Sequence, residues 1–319
     1  MRYTIRHVTR FSYETAITES VMEARMQPRS DGPQRCLHFA LSTMPASRVM
    51  VYQDHDGNIV HHFNVPGRHS QLTLTAQALV ECAAPTDVPQ WLPLEAWSHL
   101  DAMTASGAFW DLLAPSQFAE TTGALFEFAR SIGMTRRADP LSTLRELMAA
   151  MYDQFEYSPQ STRVDSRIDE ALRARRGVCQ DFSHIFIALA RHLGIPTRYV
   201  SGYLFSDESA HDRSSEGATH AWAEALMPDL GWVGFDPTNN TVARERHIRV
   251  AVGRDYADVP PTRGIYKGVS AVRSELAVAV RIGPVQAPHV ADTVPFTPWM
   301  SRDATVPVRD TEAEQQQQQ

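Results

Sequence analysis

Residues 176–196 read RGVCQDFSHIFIALARHLGIP, and this stretch decides the fold. Phe182, Ile185, Phe186, Leu189, Ala190 and Leu193 recur at helical spacing and form one broad apolar stripe. Gly194 suits the position just past a helix end, and Pro196 blocks continuation. Gly177 allows a tight turn just upstream. A buried helix therefore starts near Cys179. At that position the unpaired first-turn N–H groups and the helix dipole favour a thiolate, the nucleophilic form of cysteine. Arg173, Arg175 and Arg176 add positive potential, while Asp181 acts the other way but suits a first helical turn. Taken alone, such a cysteine is more often a small core residue. Its partners decide.

Working outward, residues 197–205, TRYVSGYLF, read as a strand, followed by a polar loop over 206–217. Residues 218–240 then read ATHAWAEALMPDLGWVGFDPTNN. His220, Trp222 and Glu224 share one strand face, residues 228–231 form a turn, and Trp232 to Phe235 form the return strand. A hairpin sets the start of its first strand beside the end of its second. His220 and Asp236 occupy those ends. Acyl transfer needs a base that reaches the nucleophile's proton and a third group that fixes the base's tautomer. A lone histidine or an Asp before Pro is bland. Both, with a helix-start cysteine, make a specific signal.

The blocks GVCQDFSH, THAWAEA and GWVGFDPTNN resemble the three motif blocks of the bacterial transglutaminase-like cysteine peptidase family, in the order Cys, His, Asp. The likeness is close over about residues 155–240, and the first ~80 residues resemble the β-rich region that accompanies this core. The resemblance implies an α+β fold with a papain-like or transglutaminase-like core, its nucleophile helix packed on an antiparallel sheet. It implies Cys179 as nucleophile, His220 as base and Asp236 as the residue orienting the histidine. The Cys179 N–H is the natural first oxyanion donor. The resemblance suggests a second donor upstream, for which Tyr157 is the candidate; its plain alternative is an ordinary core aromatic. Trp222 and Trp232 are expected to pack beneath the site.

Further out, Tyr3, Ile5 and His7 share a strand face, and Leu72, Leu74 and Ala76 alternate with polar residues. His55-Asp56-Gly57-Asn58 is a hairpin turn between apolar strands. Pro85, Pro89 and Pro93 mark a linker. Leu125, Phe128, Ala129 and Ile132 have helical period, as do Leu141 to Phe155, with Asp139 as cap and Pro140 in the first turn. The expected organisation is a β-rich domain over 1–82, a catalytic core with preceding helices over 83–282, and a disordered tail over 283–319 ending in five glutamines.

Charge and composition narrow the function. Net charge is −7 with no dense basic run, which argues against a nucleic-acid partner. No apolar run nears the ~18 residues of a membrane helix, and Met1 to Tyr13 lack a signal peptide's apolar region. Three cysteines, Cys36, Cys82 and Cys179, form no disulfide framework, although a Cys36–Cys82 bridge is open. A cytoplasmic location is the expectation. Adjacent His61 and His62 point to opposite strand faces and chelate poorly together. Cys179 and His184 lie about 140° apart around a helix. The acidic residues Asp207, Glu208, Asp212 and Glu216 lack an EF-hand pattern. No metal and no cofactor are therefore expected. The expected enzyme is a cysteine peptidase or amidase acting on a peptide or protein substrate. An amine-transferring transglutaminase and a non-catalytic binding module are the alternatives.

Overall fold

The computed structural model describes residues 1–84, 87–159, 161–206, 212–214, 217–268, 273–285 and 314–318. Four strands come first: β1 (Arg2–Ala24), β2 (Gln34–Met44), β3 (Val49–Gln53) and β4 (Ile59–Cys82). Helices α1 (Ala96–Ala105), α2 (Gly123–Ser131) and α3 (Pro140–Gln154) follow, then β5 (Glu156–Tyr157), α4 (Ile168–Ala174), β6 (Arg176–Gly177) and α5 (Cys179–His192). Strands β7 (Thr197–Leu204), β8 (His220–Met227), β9 (Gly231–Asp236), β10 (Thr241–Val242) and β11 (His247–Gly253) complete the core sheet. The chain ends with β12 (Thr262–Lys267), β13 (Ser274–Pro284) and β14 (Glu314–Gln318).

The N-terminal sheet is built on the long antiparallel pair β1 and β4, whose register shifts between Ser12 and Glu19. On either side of that shift the pair takes different neighbours: β13 joins the first half of β1, and β12 joins its second half. The Asp-Gly turn joins β3 to β4 as the sequence predicts. Gly57 has φ +75°, and the Asp54 carboxylate accepts the N–H groups of Asp56 and Asn58. Leu72, Leu74 and Ala76 are buried, as their alternation requires.

The second sheet runs β10-β9-β8-β7-β11, antiparallel throughout, and α5 packs on β7 and β8. The stripe read from the sequence is the helix's buried face. Phe182, Ile185, Phe186 and Leu189 have no exposed surface, and burying each such side chain contributes about 1.5–3 kcal/mol. The helix stops at Leu193, where Gly194 takes φ +85°. Helix α3 begins as expected: the Asp139 side chain accepts the Ser142 N–H, with Pro140 in the first turn. Helix α1 has no strong apolar period and buries only Ala96 and Leu100.

The expected unit 83–282 does not stay within the core sheet. Strands β12 and β13 return to pair with β1. Alternation at Leu276, Val278, Val280 and Ile282 marks a half-buried strand but carries no information about which sheet accepts it. One apolar cluster runs from Tyr3, Ile5 and Val80 through to α5, so the two layers share a core. Of the expected tail, Gly283 and Pro284 extend β13, and Glu314–Gln318 lies antiparallel to β12; residues 286–313 lie outside the described residues. Cys36, Cys82 and Cys179 are all free thiols. Among the described residues no helix is long and apolar enough to cross a membrane.

Candidate active site

Cys179 is the first residue of α5, half-buried, with Val178 extended ahead of it. The turn into the helix is fixed by Asp181. Its carboxylate accepts the Val178 N–H at 2.8 Å and the Thr162 hydroxyl at 2.5 Å. Burial pushes the Asp181 carboxyl up, and these two hydrogen bonds offset part of that rise. Gly177 makes the approach possible: a Cβ there would lie 2.8 Å from Asp181 Oδ2. Beside this turn, β5 pairs with β6 and sets Tyr157 opposite Gly177, two residues before the thiol.

His220 opens β8 opposite Gly202 of β7, and the β8–β9 hairpin pairs Ala223 with Phe235. One step further in that register, Asp236 falls opposite Trp222 and a diagonal step from His220, within reach on the same face. His220 Nε2 lies 2.8 Å from Asp236 Oδ2. Both side chains are buried, and the Trp222 ring stacks on the imidazole at 6.0 Å between centroids. A Cβ on Gly202 would come within 2.6 Å of that indole, so the absent side chain makes room for it.

Burial alone would strip His220 of its proton. The Asp236 charge and hydrogen bond outweigh burial, Cys179 adds to them by hydrogen bonding and charge, and the histidine is pushed up to about 10. Nδ1, the ring nitrogen not used by Asp236, is buried and has no hydrogen bond of ordinary geometry. It is the atom left for the thiol, whose side chain acts on this ring. Catalytic hydrogen bonds are often poorly aligned before substrate tightens a site.

Asp236 is satisfied from several directions. Oδ1 accepts the N–H groups of Thr238 and Asn239, while Oδ2 accepts Asn239 Nδ2 at 2.7 Å in addition to the histidine. Burial disfavours its charge, but the neighbouring His220 and the hydrogen bonds from His220 and His247 hold it well below the usual carboxylate range.

The structure thus brings Cys179, His220 and Asp236 together and sets Tyr157 nearby. Two further residues belong to the cluster. His247 Nε2 lies 3.1 Å from Asp236 Oδ2. Asn239 ties the site to the preceding loop, since its Oδ1 accepts the Arg213 and Ser214 N–H groups. Arg213 also stacks on Tyr152, and Asp212 pairs with Arg246; Asp207, Glu208 and Glu216 lie outside the described residues. The ligand atoms of His220, Asp236 and His247 lie within 4.8 Å of one another. Both Nε2 atoms and the carboxylate are engaged with each other, which suits a hydrogen-bonded group better than an ion's coordination sphere. Trp222 packs beneath the histidine as expected, whereas Trp232 lies under the Arg198 guanidinium at 4.1 Å. Glu224 is committed to Arg198 and Arg249 and does not reach the histidine's carboxylate position.

Family models match in the same places. Residues 127–237 match the transglutaminase-like superfamily core, and residues 3–81 match the bacterial transglutaminase-like N-terminal region. An uncharacterised protein of Mycobacterium leprae is 33% identical over 280 residues, covering 88% of this chain and 98% of that one. The chain belongs to the transglutaminase-like superfamily. A protein-glutamine gamma-glutamyltransferase of Pseudomonas aeruginosa is 27% identical over 138 residues, which is 39% of this chain and 21% of that one. The crystal structure of a candidate cysteine protease from Cytophaga hutchinsonii superposes with a TM-score of 0.70 at 20% identity, covering 90% of this chain and 92% of that one. That likeness extends the shared transglutaminase-like fold over both layers.

Proposed function

We propose that this transglutaminase-like chain is a thiol-dependent acyl-transfer enzyme that hydrolyses amide bonds in a peptide or protein, with Cys179 as nucleophile. The observation that carries the reading is the buried His220, bound to Asp236 through Nε2 and left with Nδ1 for the thiol. The Cys179 thiolate attacks the amide carbonyl carbon, and the C–N bond breaks as His220 gives its proton to the leaving amine. A thioester remains. Water then attacks it, the C–S bond breaks, and His220 takes the water's proton and returns it to the thiol pair. The Cys179 N–H, at the start of α5, is the first oxyanion donor in this scheme, and Tyr157 is the proposed second.

A transferase must keep water away from the thioester long enough for an amine to react. The segment 206–217 ahead of His220 is rich in polar and charged residues, a composition that suits a wet rim and favours water as acceptor. Amine transfer is the second reading, favoured by the name of the Pseudomonas relative. A panel of glutamine-containing and other peptides, run with and without excess primary amine and read by mass spectrometry, separates the two. Hydrolysed products in both arms are expected. Amine adducts or isopeptides as the main product at modest amine concentration would replace hydrolysis with transfer. A non-catalytic binding module predicts that Cys179 alkylates no faster than Cys36 or Cys82, so thiol labelling tests that alternative. The cytoplasm is the proposed location.

A further inference from the structure

We infer that His247 is a positioning residue for this chemistry: as a neutral imidazole fixed in the Nε2–H tautomer, it shares Asp236 with His220 and holds the carboxylate in the orientation His220 needs. The inference rests on the proposed thiol chemistry and adds a residue to it.

The tautomer follows from the hydrogen bonds. The Arg244 N–H donates to His247 Nδ1 at 3.3 Å, so Nδ1 must present its lone pair. The proton is then on Nε2, which points at Asp236 Oδ2 from 3.1 Å. Both nitrogens are used and the ring is buried. The surroundings keep it neutral. Burial disfavours its charged form, His220 and Arg246 oppose a further positive charge, and the pull of Asp236 does not outweigh them. One carboxylate therefore serves two histidines in different states, one held as a cation and one as a neutral donor.

The position is distinct from that of the other donors. Thr238 and Asn239 belong to the turn that follows Asp236, whereas His247 comes from β11, on the far side of β7 from β8. Its ring meets the edge of Trp222 at 5.2 Å, and Trp222 stacks on His220. A neutral donor on Oδ2 prevents the carboxylate from rotating away and draws charge from it, so the shared proton stays on His220. His247 also lines a cavity of about 650 Å³ between the two layers, together with Gln34, Trp232 and Arg249.

That cavity supplies a test that packing alone would not pass. Iodoacetamide alkylation of Cys179 is followed in the full chain from pH 5 to 8.5, with thermal melting in parallel. His247→Leu should slow alkylation roughly tenfold, the scale of one lost hydrogen bond to a charged group, and shift the profile's midpoints. His247→Gln, which keeps a donor near the Nε2 position, should recover most of the loss. Added imidazole should enter the cavity and recover part of it in His247→Ala, with no effect on the wild type. A folded His247→Leu protein with the wild-type profile would overturn the inference. So would equal losses in the Leu and Gln variants with no imidazole recovery. If the variants fail to fold, imidazole ¹⁵N shifts of the native chain decide: a neutral Nε2–H ring from pH 5 to 8 is expected, and an Nδ1–H ring or titration near pH 6.5 overturns it. Wild-type Cys179 reacting no faster than Cys36 and Cys82 would remove the thiol reading itself, and this inference with it.

Discussion

Two histidines lie against the Cys179 helix, both buried, in opposite states. His184 sits on α5 between the rings of Phe118 and Tyr199, and its Nε2 accepts the Tyr256 N–H. Burial, helped by the Arg191 charge, brings it down to about 3. His220 is equally buried, yet the Asp236 charge and hydrogen bond push it up to about 10. Burial alone therefore does not decide the state of these two histidines; the carboxylate beside His220, absent beside His184 among the described residues, does. His247 completes the comparison. It touches the same carboxylate and is still lowered, because burial, helped by the charges of His220 and Arg246, outweighs what Asp236 supplies to it.

The largest expected effect comes from erasing the difference. Asp236→Asn keeps the shape of the side chain but removes its charge and offers His220 the wrong partner. His220 should then fall below its ordinary value, as His184 does. Turnover on any hydrolysed peptide should drop by about 10⁴-fold, the scale seen when an orienting carboxylate is replaced in this way. Kinetics together with an NMR titration of His220 would check both halves. Near-full activity in this variant would assign the orienting role elsewhere. Glu224 is a poor substitute, being bound to Arg198 and Arg249.

A second, smaller effect separates chemistry at the His220 end from packing at the His184 end. If the Tyr157 hydroxyl is an oxyanion donor, Tyr157→Phe should lower turnover by about 10²-fold. Alkylation of Cys179, which forms no oxyanion, should be unchanged. Loss of both rates together with a lower melting temperature would identify Tyr157 as an ordinary packed aromatic.

Much of this contrast was legible in the sequence, and the limits are physical. The stripe from Phe182 to Leu193 reports a helix because side chains repeat every 3.6 residues. Its start fixes Cys179, and a hairpin with a clear turn brings His220 and Asp236 together whatever lies around it. His247 carried no such signal. It follows Asp236 by eleven positions, and its approach depends on β11 pairing with β7, a non-local choice no local pattern encodes. Asn239 stood in a quoted motif, but its bonds to the loop and to the carboxylate depend on tertiary geometry. Likewise, alternation revealed β13 as a strand without showing that β1 would be its neighbour.

The His184 end should answer to stability before reactivity. His184→Gln retains an acceptor for the Tyr256 N–H but loses stacking on Phe118 and Tyr199. At about 0.5–1.5 kcal/mol for each aromatic contact, the expected cost is about 2 kcal/mol in urea unfolding. Once the variant is folded, the selectivity of alkylation for Cys179 over Cys36 and Cys82 should remain. Loss of that selectivity at unchanged stability would mean that His184 takes part in the chemistry, and the division between the two histidines would fail.

The smallest effect is the sharpest form of the comparison, because the two histidines should move stability in opposite directions with pH. An unfolded histidine titrates near ~6.5. His184 is neutral in the folded chain, so its contribution is present above that value and is lost as pH falls through it toward about 3. His7, lowered to about 4, and His61 and His247, also lowered by burial, act the same way. His220 is charged in the folded chain, so its contribution is complete below about 6.5 and is lost as pH rises toward about 10. Each group changes unfolding free energy by at most about 1.4 kcal/mol per pH unit. Denaturation between pH 5 and 6.5 lies above the ordinary carboxylate range, and the raised Asp56 and Asp181 are common to every chain compared. In a second window, pH 7 to 8.5, the raised thiols of Cys36 and Cys82 enter only as the unfolded thiol value of about 8.5 is approached, and equally in every variant. His184→Gln should flatten part of the first slope and leave the second. Asp236→Asn should flatten the second slope, since His220 then loses the main charge that holds its proton. Equal change of both slopes in both variants would show that the two histidines are not independent, and the carboxylate would lose its place as the feature that distinguishes them.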